Sequence, residues 1–353
     1  MPLDLTTGVA DLTRQLCDIE SVSGNEGPIA EAVEAVLRSA GHLTVERDGD
    51  AVVARTTLGR DRRVVIAGHL DTVPVNGNLP VRVVGDELVG RGTVDMKGGV
   101  AVALSLAVEL VAPAADVTWI FYDHEEVDSD LNGLGRLAAN RPDLLAADFA
   151  ILAEPTSGGI EGGCNGTLRA EIRTSGTRAH SGRSWMGHNA IHDLAPALAA
   201  LQAYEPASIE VDGLVYREGL NAVGVHGGVA GNVIPDAATL VVNYRFAPSR
   251  DAAEAVAHVE SVFAGSDVVV TDLAEGARPG LDDPLAQAFV AAVGATPAPK
   301  YGWTDVARFA ALGVPAVNYG PGDPSLAHAD DERVPVAQIE SVAAGLRTWL
   351  TGR

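Results

Sequence analysis

The stretch GGVAVALSLAVELVA, residues 98–112, is almost wholly apolar at helical spacing. A helix without a polar face has to be covered all round, so it predicts a layered fold with this helix buried against a sheet. Neighbouring segments supply the strands. AVVARTT (51–57) and RVVIAGHLD (63–71) are valine-rich runs bounded by Gly, Asp and Arg. VTWIFYDHEE (117–126) and DFAILAEP (148–155) repeat a β-branched or aromatic run that ends in charge. IAEAVEAVLRSAG (29–41) has helical spacing and stops on Gly41. Strands alternating with helices predict an α/β fold with a mixed, largely parallel sheet and flanking helices.

From about residue 168 the pattern changes. LRAEIRTSG, LNAVGVHGG and ATLVVNYRFAP read as amphipathic strands flanking a helix at 188–204, and a helix at 251–265 precedes the strand DVVVTDL. This predicts an inserted α+β lid or dimerisation domain over residues 168–280. The catalytic domain then comprises residues 1–167 and 281–353, closing with the strand VPAVNYGPG and the helix QIESVAAGLRTWLTG.

With 353 residues and 47% hydrophobic content, the chain can build two cores. A net charge of −22 argues against nucleic acid or an anionic membrane as partner. It also means that an anionic substrate has to be drawn in by local arginines. The N-terminal segment lacks the pattern of a secretion signal, and no apolar run reaches the about 18 residues of a membrane span. Cys17 and Cys164 are isolated thiols, which predicts a reducing, cytoplasmic setting.

The charged residues fall at strand ends. His69 and Asp71 end one strand, Glu125 and Glu126 the next, and Glu154 the one after, while Asp95 stands just before the apolar helix. Carboxyl ends of parallel strands share one edge of the sheet. His328, in the loop GPGDPSLAHADDE, follows another strand. Each residue alone has an ordinary reading: a satisfied polar histidine, a solvated Glu pair, an aspartate capping a helix. Together, two histidines and several carboxylates without cysteine suit zinc or a similar divalent ion better than calcium. So many carboxylates at one point repel unless cations neutralise them, and two ions sharing one bridging carboxylate would use them all.

The ordered stretches GHLDTVP, GRGTVDMKGG, HEEVDS, AEPT, GTRAHSGR and LAHADDE resemble the dizinc metallopeptidases of the aminoacylase and carboxypeptidase type, over essentially the whole chain. EPTSGGIEGGCNGTLRAEI and RAHSGRSWMGHNAI look most like the succinyl-diaminopimelate desuccinylase branch. The resemblance implies two Zn²⁺, with Co²⁺ able to substitute. His69 and Glu154 would bind one ion and Glu126 and His328 the other, with Asp95 bridging. Asp71 would accept a hydrogen bond from the His69 imidazole and orient it. Glu125 would carry a proton from water to the leaving amine. His180 would stabilise the oxyanion, often in the partner's site, and a strained peptide bond would follow Asp95.

Asn232 and Arg245 match positions that contact a substrate carboxylate, with Arg169 and Arg183 as further candidates. Thr304, in YGWTDVARF, lies where the family carries a more glycine-rich loop, and His124 stands where the family usually has Asp. The implied substrate is a small N-acylated amino acid, N-succinyl-LL-2,6-diaminopimelate first. Acetylornithine deacetylases and carboxypeptidases are the alternatives within the same chemistry. The implied assembly is a homodimer through the inserted domain. A catalytically dead binding scaffold would have lost a ligand or the base, and both are kept here.

Overall fold

In the computed structural model, which describes residues 3–352, the apolar segment forms the helix Lys97–Glu109, with ten of its thirteen residues buried. It packs against the helices Val9–Cys17, Gly27–Ser39 and Val336–Thr351 and against the strand Arg63–His69. The first turn explains the pair Gly98–Gly99. A Cβ on Gly98 would stand 2.7 Å from the Thr93 main-chain oxygen, and one on Gly99 would overlap the main-chain oxygen of Ala153. Only hydrogen fits between helix and strand end there.

The sheet beneath this helix runs in the order Thr44–Asp48, Ala51–Arg55, Asp116–Tyr122, Arg63–His69, Phe149–Leu152 and Ala316–Asn318, with two short strands completing the far edge. Arg63–His69 is parallel to both its neighbours, and Ala316–Asn318 is parallel to Phe149–Leu152. The first two strands are antiparallel. Four central strands therefore end on one edge. A separate three-stranded antiparallel sheet joins Arg82–Val84, Glu87–Val89 and Arg333–Pro335. These elements belong to one compact unit, made of the chain up to Gly162, Pro279–Ala298 and the segment from Arg308 onward.

A second unit comprises Gly163–Arg278 and Pro299–Ala307. Its antiparallel sheet has the order Gly219–Gly227, Ala237–Phe246, Gly166–Ser175, Asp267–Ala274. Alternate residues such as Leu168, Ala170, Leu240 and Val242 form a core with Ala197, Ala255 and Val259 of the two helices Ala195–Gln202 and Ala252–Val262. Glu218 is buried beside that core, accepting from the Tyr244 hydroxyl at 2.9 Å, Arg250 Nε at 2.7 Å and Ala247 N at 3.0 Å.

Two features differ from expectation. The helix expected over 188–204 begins only at Ala195, after a 3₁₀ turn at His192–Leu194. Pro196 in its first turn has no N–H to give a preceding turn, and the Asn189 side chain accepts the Ile191 N–H at 2.9 Å instead. The second unit also starts at Gly163 and takes in residues 299–307. Asn165 N donates to Lys300 O at 3.2 Å, and Trp303 Nε1 donates to Glu275 O at 3.1 Å. Neither pairing leaves a trace in local periodicity. Among the described residues, no helix is long and apolar enough to cross a membrane.

Candidate metal centre

His69 closes its strand and is 1% exposed. Its Nδ1 lies 3.0 Å from the main-chain oxygen of Asp71 and 3.4 Å from Asp71 Oδ1. Nδ1 is therefore assigned as the donor nitrogen, which aims Nε2 at Asp95 Oδ1, 3.1 Å away. The shorter contact to His69 comes from the Asp71 carbonyl, with the carboxylate beside it. Its carboxylate serves the next loop. Oδ1 accepts from Glu125 N at 3.0 Å, while Oδ2 accepts from Glu126 N at 3.0 Å and Ser23 Oγ at 2.7 Å. Burial works against the charge on Asp71, yet the His69 imidazole and these donors hold its pKa down at about 2.

Asp95 precedes the apolar helix across a cis peptide bond to Met96. Met96 rather than Asp95 takes the helix N-cap position. The Asp95 carboxylate instead faces both imidazoles, Oδ1 toward His69 Nε2 and Oδ2 toward His328 Nε2 at 3.4 Å. His328 Nε2 also lies 3.0 Å from Glu126 Oε2. Asp95 and Glu126 push the His328 pKa up to about 10, with burial opposing. Against its own burial, Asp95 is held well below the usual carboxylate range by His328 and His69. Both imidazole Nε2 atoms thus face carboxylate oxygens that a shared cation would neutralise.

Glu154 is 5% exposed. Ala67 pairs with Leu152 in parallel register at the end of the strand Phe149–Leu152, and Glu154 follows two residues after that pair, as His69 does on its own strand. Glu125 and Glu126 follow a turn at His124, whose φ of 58° is left-handed. The fully buried Glu26 accepts from His124 N at 3.2 Å, and Asp123 Oδ2 lies 2.7 Å from His124 Nδ1. Sequence reading missed Glu26 and Ser23, because side chains that hold a turn in another segment follow no period.

In the second unit, His180 is exposed and its Nδ1 accepts from Gly182 N at 3.0 Å. Ser181 N donates to Asn232 O at 2.9 Å, so the structure brings His180 and Asn232 side by side. Arg183 is exposed in the following 3₁₀ segment, Ser181–Met186. Arg169 and Arg245 lie on adjacent strands, opposite Asn243 and Thr167, on the face away from the core. Burial and the neighbouring Arg169 lower the Arg245 pKa. Thr304 is buried.

The donor set itself tests whether a metal fits. His69, Asp95 and Glu126 each offer a ligand atom within 4.8 Å of the others. Imidazole nitrogen with carboxylate oxygen and no thiolate is the chemistry of zinc-like divalent ions, and the two oxygens of Asp95 serve separate histidines. The residues fit. Residues 65–351 match the model of peptidase family M20/M25/M40. The chain belongs to this family. It is similar to a Mycobacterium tuberculosis protein named DapE, at 57% identity over 353 residues, covering 99% of this chain and 100% of that one. It is also similar to the succinyl-diaminopimelate desuccinylase of Corynebacterium glutamicum, at 48% identity over 360 residues, covering 99% and 98%. The fold resembles that of a Staphylococcus aureus tripeptidase, with a TM-score of 0.79 at 20% identity and 99% coverage of both chains. As a member of the M20 family the chain is a metal-dependent amidohydrolase, and the His69–Asp95–Glu126 group is a site where such a metal can be held.

Proposed function

We propose that this M20 chain hydrolyses N-succinyl-LL-2,6-diaminopimelate to succinate and LL-2,6-diaminopimelate. The observation that carries the reading is the likeness, over nearly the full length of both chains, to a succinyl-diaminopimelate desuccinylase. His69 and Glu154 would hold one divalent ion and Glu126 and His328 a second, with Asp95 contributing to both. Zinc suits this donor set best, and cobalt can replace it. When bound, such ions acidify water and polarise an amide carbonyl. Glu125 takes the proton from the attacking water as its oxygen adds to the carbonyl carbon. It returns that proton to the amine as the C–N bond breaks. His180 stabilises the oxyanion. Asn232, Arg245, Arg169, Arg183 and Thr304 read the substrate's polar groups, the arginines through bidentate contacts to carboxylate. Glu125, with its main-chain N–H held by Asp71, has a fixed base for the proton transfer.

The test is hydrolysis by the zinc-loaded protein of N-succinyl-LL-2,6-diaminopimelate and N-acetylornithine side by side. A preference for the succinyl compound of tenfold or more in kcat/KM is expected, about 1.4 kcal/mol of transition-state binding. Preference for the acetyl compound would leave the metal chemistry standing and overturn the substrate.

The same reading includes a homodimer through the second unit and a cytoplasmic setting. The strand Gly219–Gly227 is a sheet edge with Val223 and Val225 each 59% exposed, an edge that a second copy would cover. Sedimentation at twice the chain mass is expected, and a monomer at micromolar concentration would refute it. Cys17 and Cys164 are both buried free thiols, in keeping with a reducing compartment.

A further inference from the structure

We propose that Glu332 and Arg91 are positioning residues, a buried pair that fixes Asp95 against His328 before any metal arrives. The inference rests on the metal reading above. Asp95 and His328 come from loops 233 residues apart, so nothing in the local chain sets their separation. Glu332 sets it from below. Its side chain has no exposed surface, and Oε1 accepts from Val94 N at 2.9 Å and from Asp95 N at 3.1 Å. Glu332 Oε2 accepts from Arg91 Nη1 at 2.9 Å. Arg91 is 3% exposed and its Nη1 also donates to the carbonyl of Ala329, the residue after His328, at 3.2 Å. Gly90 N closes the arrangement on the Glu332 main-chain oxygen at 2.9 Å. One carboxylate thus grips the Asp95 loop while its guanidinium partner grips the His328 loop.

Two further features fit this role better than a stabilising one. His328 holds a left-handed φ of 66°, a conformation that persists in a residue with a side chain only when its surroundings fix it. A buried Arg–Glu pair adds little net stability, because desolvation of both charges offsets their attraction. The pair is flanked by the antiparallel strands Glu87–Val89 and Arg333–Pro335, which hold the backbone on either side. Asn76 Nδ2 and Asn78 Nδ2 add contacts to Asp330, at 3.0 Å from its Oδ2 and 3.4 Å from its main-chain oxygen. Glu332→Gln leaves those supports in place but turns one oxygen into an NH₂ donor, so either the Val94 and Asp95 N–H groups or Arg91 Nη1 loses its acceptor and one side of the grip is released.

The experiment titrates metal-free protein with Zn²⁺ against a competing chelator and follows the Co²⁺ absorption spectrum. It compares wild type, Glu332→Gln, Arg91→Lys and Glu218→Gln. Glu218 is equally buried and paired to Arg250 in the second unit, so its variant reports the cost of breaking such a pair away from the metal. Glu332→Gln is expected to bind at least one ion about 10–100-fold more weakly, with an altered Co²⁺ spectrum. Added metal should restore its kcat with KM unchanged. Should Glu332→Gln fail to fold, Arg91→Lys carries the same expectation, because a strongly hydrated ammonium on a flexible stem does not hold the fixed position from which Arg91 Nη1 meets both Glu332 and Ala329. Glu218→Gln should lower the melting temperature without moving metal affinity. Wild-type affinity in both Glu332→Gln and Arg91→Lys, or an equal loss in Glu218→Gln, would overturn the proposal alone, whereas a wild type that binds no metal would overturn it together with the metal reading.

Discussion

Replacing Glu125 with Gln should leave metal content at the wild-type value and lower kcat about 10²–10⁴-fold, the usual contribution of a positioned proton carrier. The substitution keeps shape and removes only the basic oxygen. It should not disturb the turn, because Glu125 is anchored through its main-chain N–H to Asp71 Oδ1 at 3.0 Å. Nor does it remove a donor from the cluster, whose short contacts run among His69, Asp95, Glu126 and His328. Elemental analysis and steady-state kinetics on one preparation give both numbers. A kcat within threefold of wild type would remove Glu125 from the proposed chemistry, and loss of metal would make it a ligand.

Asp71→Asn should be damaging in a different way. Each carboxylate oxygen takes a main-chain N–H, from Glu125 and Glu126 respectively, and Oδ2 takes the Ser23 hydroxyl as well. An amide supplies one oxygen and one NH₂. Whichever way it turns, a donor then meets a donor, at a cost of roughly 1–3 kcal/mol for the unpaired buried group. The loop carrying Glu125 and Glu126 shifts as a result. Metal affinity should fall about 10–100-fold, as when other groups that orient ligands are removed. At saturating metal, kcat should fall a further hundredfold or so, since small displacements of a positioned group cost about that much. Chelator competition measures the first effect, and kcat at saturating metal the second. Full kcat at saturating metal would show that the turn holds its shape without Asp71.

Much of this arrangement was legible in the sequence because strand ends advertise themselves. An apolar run that stops on His69, on Glu125–Glu126 or near Glu154 is visible without a structure, and parallel strands bring such ends to one edge. The all-apolar helix was readable for a similar reason: full burial erases its polar face. What escaped were side chains whose work is to hold another segment's backbone. Glu332 reads as one more acid in the run ADDE, and Glu26 as an ordinary residue before a helix. Period and composition report which face is buried, not which N–H a carboxylate meets 54 to 241 residues away, as those of Asp71 and Glu332 do. The late start at Ala195 was legible in principle, because Pro196 marks it.

Gly98 and Gly99 carry a consequence for anyone wishing to move this centre into another protein. The helix rests directly on the main-chain oxygens of Thr93 and Ala153, which are neighbours in sequence of Val94 and Glu154. No side chain lies between them to be trimmed or enlarged. The spacing of the Asp95 loop and the Glu154 strand end is therefore set by bare backbone. A graft of the ligand residues alone would lose that gauge, and the smallest transplantable part is the helix together with both loops that touch it.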